Sequence, residues 1–198
     1  LGVAAATLAV SAQALVIDNF TTPQALMTDD TPGDSGMWSQ VSGTGILGGY
    51  RDIFISNIDG GPIRNTRGEV NAATNSFIFS NDVGAEGVGI IRWDGGLAGS
   101  GSTVAAARAS IDPTGLGNVN FLDHGLGFLV TVREADQPFP IILEAFTDGL
   151  NWSRYTANVS LITFPGTSLF IPFGLFTTVA GTGVNWANVG ALQAIFNE

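Results

Sequence analysis

Short apolar runs with a period of two, separated by clusters of Gly, Pro, Asn and Asp, recur from Leu15 to Phe196. In Gly127 to Arg133, Phe128, Val130 and Val132 alternate with Leu129, Thr131 and Arg133. A period of two places the two sets on opposite faces of an extended chain. The same reading predicts strands at 15–20, 46–58, 67–72, 76–80, 87–93, 139–147, 151–163, 167–177 and 189–196. Asp148-Gly149 between two of these runs is a hairpin signal. Ala105 to Ala109 is the one short stretch with helical character. Ten strands with almost no helix predict an all-β fold, an antiparallel β-sandwich of jelly-roll-like type. There is no internal repeat and no linker rich in Pro or Ser, so residues 15–198 read as a single domain.

Residues 1–14, LGVAAATLAVSAQA, break the pattern. They form an uncharged, Ala-rich segment ending in Ala12-Gln13-Ala14. An apolar run before an Ala-x-Ala site has the form of the later part of a secretory leader. The run is too short to span a bilayer. Read as a leader it places the protein outside the cell; read as an arm it needs a surface to bury it.

Composition narrows the function classes. The 198 residues are 45% hydrophobic and 12% charged, the reverse of a disordered chain. Seventeen acids against seven bases give a net charge of −10. All seven bases are Arg, and they are scattered. Such a chain has no phosphate-tracking stripe, which excludes nucleic acid as a partner. With no Cys there is no disulfide scaffold, thiolate metal site or Cys nucleophile. The absent Lys has a second consequence, because Lys commonly guards open sheet edges. A weakly charged sandwich without it suits strand-to-strand assembly into a homo-oligomer or filament.

Several phrases resemble a known family. They are LVIDNF at Leu15 to Phe20, IDPTGLGNVNF at Ile111 to Phe121 followed by GLGFLVTVREAD, FIPF at Phe170 to Phe173, and NWANVGALQ at Asn185 to Gln193. In this order they resemble the secreted jelly-roll domains of bacterial exosortase-sorted proteins of the PEP-CTERM type. The resemblance implies a secreted jelly roll at the cell surface. Members of that family continue into a further Asp-containing strand and a Pro-Glu-Pro sorting signal, where this sequence ends at Asn197-Glu198. A sandwich short of one strand offers a groove that a strand from another subunit, from residues 1–14 or Leu15 to Phe20, would fill by strand addition.

Three kinds of site chemistry are conceivable. Asp29, Asp30 and Asp34 flank a Pro-Gly turn and supply hard oxygen ligands suited to Ca²⁺, although their spacing is not that of an EF-hand. The resemblance adds Asp18, since similar jelly rolls hold a structural Ca²⁺ near the chain ends. For an extracellular polysaccharide, Trp93, Trp152 and Tyr155 are the rings to stack on sugar faces. Hydrolysis of a glycan would need two opposed carboxylates, for which Glu134, Asp136 and Glu144 are available, with His124 as the single histidine. No catalytic motif accompanies any of them. The expectation is therefore a non-enzymatic, secreted structural protein of the cell surface, extracellular matrix or an extracellular filament, with a carbohydrate-binding module of the same fold as the alternative.

Overall fold

A computed structural model describes residues 14–61 and 64–198. The expected arm lies outside the described residues except for Ala14. Twelve strands follow in order: β1 (Gln24–Asp29), β2 (Met37–Ser42), β3 (Tyr50–Asp59), β4 (Thr66–Asn71), β5 (Ser76–Asn81), β6 (Glu86–Trp93), β7 (Gly127–Val132), β8 (Phe139–Asp148), β9 (Asn151–Val159), β10 (Thr167–Pro172), β11 (Thr177–Ala180) and β12 (Ala191–Phe196). One helix, α1 (Val104–Ala109), lies between β6 and β7. All strand pairings between these elements are antiparallel.

A seven-stranded sheet in the order β11-β9-β8-β12-β6-β3-β2 forms one layer. A three-stranded sheet, β1-β4-β5, and a two-stranded sheet, β10-β7, form the other. Between the layers lies the main core. Ile53, Ile55, Ile91, Leu192 and Ala194 of the large sheet meet Met27 and Val70 of the small sheet, with Phe128 and Phe173 packed alongside. The fold is thus an all-β sandwich.

The large sheet is also covered on its other face. Phe54, Val88, Ile90, Ile142 and Ile195 form a second cluster beneath Ala107 and Val104 of α1. Thr103 caps this helix by accepting the Ala106 N–H at 3.2 Å. Double coverage explains why β3, β6 and β12 are buried along almost their whole length.

Most expected strands have counterparts, and the departures have local causes. Leu15 to Phe20, expected as a strand, makes only an isolated bridge, between Asp18 and Ile46. It is held within its own domain by Leu47 N–H to Ile17 C=O and Asn19 N–H to Gly45 C=O. β1 and β2 escaped the periodicity. A register shift between Gln24 and Met27 interrupts the alternation of β1, and β2 is an edge strand with no fully buried residue. The run at 167–177 divides at Pro172, where a 3-10 turn over Phe173–Leu175 separates β10 from β11. The 148–151 hairpin forms as expected, but Asp148 is the last strand residue, paired with Asn151. Its carboxylate accepts the Leu150 and Asn151 N–H groups at 2.8 and 2.9 Å.

Candidate functional site: a row of charge across the large sheet

On the outer face of the large sheet, one residue from each strand falls in a single transverse row. Its members are Gln40, Asp52, Arg92, Gln193, Glu144, Arg154 and Thr177, each the register partner of the next. The alternation that sends Ile53, Ile91, Leu192 and Ala194 into the sandwich core turns this row the other way, beneath α1 and the loop before it. The four middle residues, Asp52, Arg92, Gln193 and Glu144, are buried.

Around Glu144 the row is fully paired. Its carboxylate accepts from Arg154 Nε at 2.8 Å, from Arg108 of α1 and from Gln193 Nε2. Arg108 also pairs with Glu198, joining the helix to the chain end. Gln193 Oε1 accepts from Arg92 Nη2 at 3.2 Å. Arg92 further donates to the Ala107 C=O and to Ser110 Oγ, and its guanidinium lies 5.1 Å from the centre of the Trp38 ring. Burial lowers the Arg92 pKa, against the opposing pull of Asp94, Asp52 and Glu144. The helix is thereby tied to the sheet through charge-assisted bonds as well as apolar contact.

The Asp52 end differs. Neither Asp52 oxygen, nor Gln40 Nε2, has a hydrogen-bond partner among the described residues. Burial raises the Asp52 pKa to about 6 despite the Arg92 charge and the nearby Gln40 amide and Gly99 N–H. Those two groups come close enough to lower it without reaching hydrogen-bond geometry. Asp94 is also raised to about 6 by burial, offset in part by the Asp112 N–H and Arg92. A Gly-rich loop, residues 95–103, closes over this end. It is fastened by Trp38 Nε1 to Gly101 C=O at 2.8 Å and by Gly36 N–H to Ser102 C=O at 2.9 Å. Gly99 fits only because it lacks a side chain, since a Cβ there would lie 2.1 Å from the Trp38 ring.

The expected metal ligands take up separate tasks. Asp18 accepts Arg51 Nη1 through both oxygens at 3.1 and 2.9 Å, Trp93 Nε1 at 3.0 Å and the Phe20 N–H at 2.8 Å. Arg51, wholly buried, also holds Gln24 Oε1 and the Thr22 C=O. Asp18 is therefore the centre of a latch joining the N-terminal segment to β1, β3 and β6. Asp29 is buried at the end of β1 and accepts the Asn57 N–H at 2.8 Å, whereas Asp30 and Asp34 are exposed. No three potential metal ligands gather among the described residues.

The expected sugar-stacking rings do not share a platform. Trp93 is buried in the sandwich core. Trp152 and Tyr155 point to opposite faces of β9. Trp152 stacks on Phe146 at 5.1 Å with the Arg154 guanidinium 5.3 Å from its centre, while Tyr155 packs on Phe176 at 5.8 Å. Of the three carboxylates considered for hydrolysis, Glu144 is sealed in the row, and Glu134 and Asp136 are exposed. His124 lines a separate cavity of about 320 Å³ between Ala14–Asp18 and the start of β7, with Phe121, Phe128 and Phe173 as its apolar walls.

Sequence reading passed over Asp52, Arg92 and Gln193. The available signal was a lone charged or amide residue inside an apolar run, as in Ile90-Ile91-Arg92-Trp93 and Ala191-Leu192-Gln193-Ala194. Register between strands was needed to align them.

Fold and site together define an all-β sandwich with a helix-capped, buried charge row. No known-family model matches the chain, and no curated protein matches it.

Proposed function

We propose that the chain is a non-enzymatic structural β-sandwich, secreted to the cell surface, the extracellular matrix or an extracellular filament, and that it self-associates. The supporting observation is the use made of its charged side chains. Arg51, Arg92, Asp18 and Glu144, which would serve chemistry if they faced a cleft, are enclosed and spent on joining strands, helix and termini. Such groups stabilise one arrangement over its alternatives, which suits a building unit. The leader-like N-terminal sequence and the acidic, Lys-free composition support an extracellular setting.

The test is light scattering and negative-stain microscopy of the purified chain over a range of concentrations. Concentration-dependent oligomers or filaments are expected; a strict monomer overturns the reading. A glycan array separates the carbohydrate-binding alternative. Saturable binding that is lost in Trp152→Ala would replace the structural reading with that one.

A further inference from the structure

The two-stranded sheet β10-β7 turns one face to the core and the other outward. Its register pairs Leu129 with Phe170 and Thr131 with Ser168 on the outward face. Leu129 is 71% exposed and Phe170 60% exposed, two large apolar side chains directly opposite each other. We propose that this outward face is where a second copy of the chain docks, the two copies meeting face to face about a two-fold axis. The proposal rests on the self-association reading and names its contact.

Two observations favour a second copy. The first is electrostatic. Two chains of charge −10 repel each other over most of their surfaces, yet neither strand of this face carries a carboxylate. No Asp or Glu occurs between Asp148 and Glu198, which covers β10 and its flanks, and none occurs between Asp123 and Glu134, which covers β7. Like-charged copies that meet here bring no carboxylate of either strand into the contact.

The second is polar satisfaction. Thr131 Oγ1 and Ser168 Oγ bond to each other at 3.0 Å. Arg133, just beyond β7, lies 5.7 Å from the centre of the Phe164 ring and donates to the Thr74 C=O. The polar side chains of the face each already have a partner within their own chain, which lowers the cost of covering it.

The experiment is multi-angle light scattering of the full chain, together with Leu129→Asp, Phe170→Ser and the distant surface control Val83→Asp. Val83 is highly exposed in the turn between β5 and β6. The expected result is a wild-type dimer that tightens as salt is added, because salt screens the repulsion of two acidic copies. Leu129→Asp and Phe170→Ser should each weaken dimerisation at least tenfold with unchanged thermal melting, and Val83→Asp should leave it intact. Assembly that persists in both face variants overturns this contact while leaving the structural function standing. A wild-type chain that stays monomeric overturns both. Dimers that weaken with salt point to ion pairing and also overturn the apolar contact.

Discussion

Asp18 and Asp52 are both enclosed carboxylates near a buried arginine, and they meet opposite fates. Asp18 receives four hydrogen bonds, two of them from one Arg51 nitrogen. Asp52 receives none that meets hydrogen-bond geometry, and its pKa rises to about 6. The difference lies in what surrounds each group rather than in depth alone. Around Asp18, one guanidinium nitrogen shared between both oxygens, an indole N–H and a backbone N–H converge from three parts of the chain. Around Asp52, Arg92 is drawn away toward Gln193, Ser110 and the Ala107 carbonyl. A buried charge holds a fold together only when donors have been arranged for it; otherwise its burial is a cost.

Breaking the satisfied side of this comparison should have the largest effect. Asp18→Ala leaves Arg51 buried without its counter-charge and removes the partner of Trp93 Nε1, so a loss of roughly 3–5 kcal/mol is expected in urea unfolding. A loss below about 1 kcal/mol would show that the latch is not energetically central. Glu144→Gln tests the other fully paired carboxylate. It keeps the size but weakens bonds from Arg108, Arg154 and Gln193, for an expected loss of about 2 kcal/mol by the same measurement.

Asp52 should behave in the opposite sense. Its folded pKa lies above its unfolded value, so between about pH 4 and pH 6 the native state binds more protons than the unfolded state. Stability therefore falls as pH rises through that window, and Asp94 contributes with the same sign. Thermal melting is expected at a higher temperature near pH 5 than near pH 7.5. Asp52→Asn should raise stability near pH 7.5 by on the order of 1–2 kcal/mol and flatten the profile. A variant with an unaltered pH slope would assign the dependence elsewhere. Below that window the trend turns over. Asp82, held down to about 2 by its bond to Arg67 and by Asn65, then loses those interactions as it becomes protonated.

The smallest effect expected is at the loop above Asp52. Gly99→Ala places a methyl against the Trp38 ring, and the loop must shift to accommodate it, at a cost of about 1 kcal/mol. Faster hydrogen exchange at the Gly36 amide and the Trp38 indole N–H is the measurement, since these are the donors of the bonds that fasten the loop. Unchanged exchange there would show that the loop closes independently of this contact.

How much could be read beforehand depended on the kind of signal. The β4–β5 pair and the β8–β9 hairpin were legible because their alternation and turn residues are local. β1 was not, because its bulge shifts the period and Asp29 at its end resembles loop chemistry. The family resemblance pointed to Asp18 as a Ca²⁺ ligand, but its bonds to the rest of the chain were not legible. Its partners Arg51 and Trp93 lie 33 and 75 positions away. In the sequence Glu144 is one of three carboxylates available for hydrolysis; Arg108 and Arg154, which bond it, come from α1 and the neighbouring strand.

The amino-acid sequence by itself determined that this chain builds sheets, since period-two alternation and turn residues act over a few neighbouring positions. It also determined an acidic, cysteine-free character, which is a matter of counting. Only the tertiary structure decided which charges are shared and which stand alone. Strand register brings residues from seven strands into one row, and a guanidinium can satisfy only the carboxylates that packing places within its reach.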